Sequence, residues 1–348
     1  MGIPLRQDGG KNTKTMEQIK VNKNNTMSKT KSHKKIRVPF FKNFLLPRMF
    51  FFFAGFPKGS FVSVDVTKRC NLRCKHCYFF QSEHPEELSM DEWGQRFKAL
   101  KKQYPFLYSA TWVGGEPMLR QDVIEKHMHL FTHNLVVTNG SIEFPDWKKV
   151  YFHVSIDGDE KSHDETRGVP GLYKKIKKNI AAAKDIKITG AMCVTNLNKN
   201  SIKTVLEEFH DSNLDGFMFD FYTPMLSHPN DPLCVDNKEK DELLDQLIDY
   251  KKGKYSSLIY MPVDVFESMK SSNMNKVISS CQFRKSGLAL DSGGNIKPKC
   301  MMGADADCLH CGCVVPYYLH YRRDKAQIIK SIGREVKERI REKIQSNV

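Results

Sequence analysis

Three cysteines, Cys70, Cys74 and Cys77, stand within eight residues, directly after the strand-like run Phe61-Val62-Ser63-Val64-Asp65-Val66-Thr67. Thiolates bind soft metals, and a chain that turns back after a strand can bring several sulfurs onto one centre. Three thiolates are one ligand short of closing a four-iron cluster, so one iron would keep a position for a ligand that is not a side chain. An open position marks a reactive metal site rather than a structural one. A zinc knuckle and three buried cysteines are the competing readings. Zinc sites usually build from Cys-x2-Cys pairs, and the first gap here is three residues. Five more cysteines, Cys281, Cys300, Cys308, Cys311 and Cys313, gather toward the C-terminus, while Cys193 and Cys234 stand alone and read as buried, inert thiols. The clustered cysteines follow ligand spacing rather than a secreted disulfide framework, which implies a reducing, cytoplasmic setting.

Cys-x3-Cys-x2-Cys followed by the aromatic Tyr78 resembles the signature of the radical S-adenosylmethionine (SAM) enzymes. Gly114-Gly115-Glu116-Pro117, after the strand-like run Tyr108 to Val113, resembles that superfamily's second motif. The resemblance implies a 4Fe-4S cluster held by Cys70, Cys74 and Cys77, with the open iron chelated by the methionine amino and carboxylate groups of SAM. It further implies reductive cleavage of SAM to a 5′-deoxyadenosyl radical, with the electron coming from a donor such as ferredoxin or flavodoxin.

The elements that must position these residues follow from periodicity. Strand-like runs fall at 61–67, 107–113, 134–138, 150–156, 187–195 and 215–221, with helical stretches between them at 89–103, 119–131, 172–184, 198–210 and 238–252. Ser89-Met90-Asp91-Glu92 reads as a capping box. Six βα repeats imply an α/β fold with a parallel sheet and outer helices. Spacing does not separate a doubly wound sheet from an open barrel. The resemblance selects a partial (β/α)6 TIM-type barrel, with its chemistry at the C-terminal strand ends.

At those ends the resemblance places cofactor contacts. The Gly114, Gly115 and Glu116 backbone and the Glu116 carboxylate, with Pro117 behind them, are expected to engage the methionine ammonium. Thr138 and Asn139 resemble the family's turn after strand three, and they also fit an ordinary Asn-Gly turn. Ser155 and Asp157 are expected to offer acceptors to ribose hydroxyls, and Arg167 to pair with the cofactor carboxylate or to form a surface salt bridge. Thr195 is expected near adenine. No catalytic side chain is assigned. His76, His153 and His163 show no ligand spacing and read as surface or packing residues.

Beyond the barrel, Cys281 followed by Gly293-Gly294-Asn295 and Cys300 resembles the opening half of the SPASM extension, which binds auxiliary clusters. Cys308-x2-Cys311-x-Cys313 departs from that pattern. Five thiols suit one auxiliary 4Fe-4S cluster, and zinc on four of them is the alternative. The resulting partition is a disordered basic arm at 1–37, an aromatic-rich basic segment at 38–60, the barrel at 61–265, the SPASM-like region at 266–320 and a basic amphipathic helix at 321–348.

Composition bounds the partners. The chain of 348 residues carries a net charge of +15, but residues 1–60 hold 13 Lys/Arg against 2 Asp/Glu and residues 322–348 hold 9 against 4, so the body is almost neutral. That argues against a nucleic-acid groove across the core and for basic arms near an anionic surface. With the aromatic run Phe40 to Phe56 and a looser resemblance to hopanoid adenosyl transferases, it favours a lipid or isoprenoid substrate and peripheral contact at the inner face of a membrane. The alternatives are a SPASM-type enzyme acting on a peptide or cofactor precursor, and a non-catalytic iron–sulfur binding or electron-transfer protein.

Overall fold

The computed structural model describes residues 56–323. The basic arm at 1–37, most of the aromatic segment and nearly all of the C-terminal basic helix lie outside the described residues. Seven strands form one sheet in the order β6-β5-β4-β3-β2-β1-β7. They are β1 Phe61–Asp65, β2 Ser109–Val113, β3 His133–Thr138, β4 Val150–Ser155, β5 Lys187–Val194, β6 Gly216–Phe221 and β7 Gly287–Leu290. Every neighbouring pair is parallel. The first six coincide with the expected strands to within two residues at either end.

The seventh strand was not expected. It falls in the stretch assigned to the SPASM-like region, and it pairs with the free edge of β1, Phe61 opposite Gly287 and Val64 opposite Leu290. That region therefore completes the sheet as well as carrying cysteines. The sheet stays open, with β6 and β7 as its two ends.

Helices α1 Met90–Gln103, α2 Gln121–His127, α3 Glu160–Arg167, α4 Leu172–Ala182, α5 Ile202–Phe209 and α6 Asn237–Lys252 alternate with the first six strands or follow them. Four shorter helices then surround β7: α7 Val263–Met269, α8 Ser271–Ile278, α9 Gln282–Ser286 and α10 Val314–Arg323. The capping box of α1 is present. The Glu92 N–H donates to Ser89 Oγ, and the Ser89 N–H donates to the Glu92 carboxylate at 2.7 Å.

Strand alternation divides the side chains. Val62, Val64, Trp112, Phe152 and Val154 join Trp93, Phe97 and Leu206 in a core between sheet and helices. Ser63, Asp65, His153, Cys193 and Asp220 take the other positions of their strands, which face the concave side. Residues 297–314 tie the two ends of the sheet to the extension. Lys297 Nζ reaches Asp65 on β1 at 2.7 Å, and the Val314 N–H reaches Asp220 on β6 at 2.6 Å. Among the described residues no helix is long and apolar enough to cross a membrane.

Candidate metal and cofactor site

The loop after β1 carries Cys70, Cys74 and Cys77, and the loop after β2 is bonded to it. The Gly115 N–H donates to the Thr67 carbonyl at 3.0 Å, and the Glu116 N–H donates to the Arg69 carbonyl at 2.8 Å. The two glycines make this contact possible. A Cβ on Gly115 would lie 2.1 Å from the Arg69 oxygen, and one on Gly114, at φ +123, would lie 2.5 Å from the Thr67 oxygen. Their small size lets the cysteine loop seat on the second strand end.

All three cysteines are half-buried free thiols. Burial raises the Cys70 and Cys74 thiols above the ordinary range, and neighbouring thiolates raise them further. Arg167 partly offsets this at Cys74, with its guanidinium 3.7 Å from the sulfur. Three half-buried thiols on one loop are a donor set of the kind that an iron–sulfur cluster takes.

Glu116 is held by protein donors at the end of β2. It is 1% exposed, and its carboxylate accepts the Thr138 hydroxyl at 2.7 Å, the Asn139 N–H at 2.8 Å and the Met118 N–H at 3.0 Å. Burial still raises its pKa above the ordinary carboxyl value despite these donors. These three bonds tie the carboxylate to the Thr138–Asn139 turn and hold that turn in place. Asn139 passes the constraint on, since its Nδ2 donates to Asn71 Oδ1 in the cysteine loop at 2.9 Å. Pro117 is buried at the first position of the short turn that Glu116 caps.

Asp157 is likewise held by protein donors. It is wholly buried, and its oxygens accept Arg167 Nε at 2.7 Å, Arg167 Nη2 at 2.5 Å and the Cys193 N–H at 2.9 Å, with His76 Nε2 at 3.2 Å. Burial alone would raise this carboxyl, but Arg167 and His76 hold it well below the usual carboxylate range. Arg167 is no surface salt bridge. It ends α3 with its guanidinium between Asp157 and the Cys74 sulfur. His76, read from sequence as a surface or packing residue, belongs to this network. His163 accepts the Asp157 N–H through Nδ1 at 3.0 Å, and burial pushes it down to about 4. His153 is likewise pushed down to about 4 by burial. Nothing in local spacing marks these contacts; they need β4, α3 and the cysteine loop to meet.

Ser155 ends β4 half-buried, in register with Ala191. Thr195 is buried after β5, and its hydroxyl accepts the Leu197 N–H within its own turn at 3.2 Å. Tyr78 follows Cys77 and makes no side-chain capping hydrogen bond at the start of the short turn Phe79–Gln81. Burial raises its hydroxyl well above the ordinary value, and Asp65, Cys77, Cys300 and Cys313 add to the shift.

The five C-terminal cysteines do converge. Cys281, Cys300, Cys308, Cys311 and Cys313 all line one cavity of about 500 Å³ of empty space, partly open to solvent, together with Met301 and Met302. Burial raises Cys300 and Cys313, and it pushes Cys311 up to about 12. Asp307 lines the cavity too, but its carboxylate caps its own turn through the Leu309 N–H and His310. Gly312 lets this loop meet β6: the Phe221 N–H donates to its carbonyl at 2.9 Å, and a Cβ there would lie 2.1 Å from the Phe221 oxygen. Among the described residues no three His, Cys, Asp or Glu side chains converge on the position of a single ion.

Residues 64–210 match the family model described as the radical SAM superfamily. Among curated proteins, an AdoMet-dependent heme synthase of Nitratidesulfovibrio vulgaris is 31% identical over 170 residues, 44% of this chain and 45% of that protein. The sporulation killing factor maturation protein SkfB of Bacillus subtilis is 27% identical over 174 residues, 45% of this chain and 40% of that protein. A cysteine-type anaerobic sulfatase-maturating enzyme of Clostridium novyi is 24% identical over 282 residues, 69% and 72% of the two chains. The match thus spans less than half the length of the first two relatives. Two solved structures share the fold. SuiB of Streptococcus suis bound to precursor peptide SuiA gives a TM-score of 0.54 at 15% identity, covering 77% of this chain and 67% of that one. Native anSMEcpe with bound AdoMet gives 0.54 at 16% identity, covering 76% and 81%.

Proposed function

We propose, from the match of residues 64–210 to the radical SAM superfamily model, that the chain cleaves SAM at a cluster held by Cys70, Cys74 and Cys77. The observation that carries this reading is the cysteine loop seated on the Gly114–Glu116 strand end, at the C-terminal edge of a parallel sheet. When bound at these three cysteines, such a cluster would supply the electron for reductive cleavage of SAM. The protein supplies placement. Glu116 fixes the Thr138–Asn139 turn and, through Asn71, the cysteine loop. The Gly114–Glu116 strand end would then offer its acceptors to the methionine ammonium. Asp157 holds Arg167 against the Cys74 sulfur, where a fixed positive charge offsets thiolate repulsion. The electron donor would be a small carrier such as ferredoxin or flavodoxin.

The second cysteine group is assigned an auxiliary 4Fe-4S cluster. Thiols spread around a cavity suit ligands at the corners of a cluster, whereas the ligands of a zinc ion meet about 2.3 Å from one point. The substrate class follows the relatives. The names and titles SkfB maturation protein, sulfatase-maturating enzyme and SuiB with a precursor peptide favour a peptide or cofactor precursor over a lipid. The lipid reading rests on terminal segments outside the described residues. The test is anaerobic reconstitution with iron, sulfide and dithionite. Formation of 5′-deoxyadenosine from SAM is expected, and a yield no greater than that of Cys74→Ala would remove the proposal.

A further inference from the structure

Lys240 is a buried amine that makes no ion pair among the described residues, with Asp241 the nearest carboxylate to act on it. It lies in α6, 5% exposed, and its amine contacts the Met274 thioether at 3.7 Å and the Phe221 ring at 5.4 Å from the centroid. Among the described residues no carboxylate forms an ion pair with it. The adjacent Asp241 is turned to Ser271 and takes its N–H at 2.8 Å and its hydroxyl at 2.5 Å. An isolated ammonium is costly to bury, and proteins pair or neutralise such a group.

The contacts of Lys240 lead to the thiol cavity. Met274 and Ile278 lie one turn apart on α8, and Ile278 is part of the cavity wall. Phe221, beneath the amine, donates its N–H to the carbonyl of Gly312, the residue between Cys311 and Cys313. Burial lowers the Lys240 pKa from the ordinary lysine value, and the Cys311 sulfur is the next influence on it, opposing that shift. We propose that Lys240 is the counter-charge for an anionic metal–thiolate cluster in the cavity of residues 281–313, and that it raises that cluster's reduction potential. The inference rests on the auxiliary-cluster reading. A cluster held by thiolates gains one negative charge on reduction, so a fixed ammonium nearby stabilises the reduced form more than the oxidised one.

The test uses the full chain, reconstituted anaerobically, as wild type, Lys240→Met, Lys240→Gln and Lys240→Arg. Iron per chain is measured, and a redox titration followed by electron paramagnetic resonance resolves the two centres. In the Met and Gln variants the auxiliary midpoint is expected to move to more negative potential while the first centre stays in place; the Arg variant is expected to stay near wild type. The metal-free Met variant is expected to melt no lower than wild type, because only an unpaired charge has been removed. Selective loss of auxiliary iron from the neutral variants, with full loading of the Arg variant, upholds the assignment equally. An unchanged auxiliary midpoint in the neutral variants overturns it, as does loss of auxiliary iron from all three variants. Failure of the underlying reading shows separately: a Cys300→Ala/Cys311→Ala chain would then hold as much iron as wild type.

Discussion

Replacing Asp157 by Asn leaves Arg167 buried, 9% exposed, with its two bonds of 2.7 and 2.5 Å lost or made to an uncharged amide oxygen. Breaking a buried ion pair by removing one partner costs about 3–5 kcal/mol, because the survivor keeps its desolvation cost without its attraction. His76 and the Cys193 N–H also lose a charged acceptor, which places the expected cost toward the upper part of that range. Removing both partners, as in Asp157→Asn/Arg167→Met, leaves no orphan charge and is expected to recover at least about 2 kcal/mol. The assay is urea unfolding of the metal-free, reduced chain at pH 7, supported by thermal melts in which each kcal/mol appears as about 2–4 °C. The sign with pH also follows. The folded carboxyl lies below its unfolded value, so its contribution is fully present above about pH 4 and disappears only as pH falls toward the folded value. The pair should therefore contribute equally at pH 6 and pH 8. A single Asn variant within about 1 kcal/mol of wild type, or a double variant no more stable than the single, would refute the reasoning.

Gly115→Ala would place a methyl 2.1 Å from a backbone oxygen; it is expected to cost about 1–3 kcal/mol or more and to lower iron loading at the first site, read by melting and iron analysis. The Cys70/Cys74/Cys77 triple alanine variant is expected to retain about four irons per chain at the second cysteine group, and zinc alone in that variant would exclude the auxiliary cluster. His153 and His163, both held near pKa 4 by burial, are neutral in the folded chain, while their unfolded counterparts take up protons below about pH 6.5. Stability should therefore fall as pH drops from about 6.5 toward 4, by up to about 1.4 kcal/mol per unit for each histidine. His153→Gln should flatten that slope, and an unchanged slope would show that His153 is not its source.

The sequence by itself determined the six strands, because runs such as Phe61–Thr67 and Lys187–Thr195 combine β-branched and apolar residues with turn residues at their ends. It also determined the capping box and both cysteine groups, since each is a short-range pattern whose chemistry lies in its spacing. Only the tertiary structure decided what those groups touch. Gly287–Leu290 is four residues with no readable period, and it becomes a strand because β1 presents an unpaired edge. Glu116 and Asp157 were legible as polar residues at strand ends, but their orientation was not. Glu116 is claimed by residues more than twenty positions away, and Asp157 by Arg167, His76 and Cys193 from three different elements. Once buried, a carboxylate turns toward whatever donors the fold supplies, and those donors come from distant parts of the chain. The same holds for Lys240: its place in α6 is plain from helical period, while its isolation beside the cavity wall arises only when α6, α8 and the loop of Cys308–Cys313 pack together.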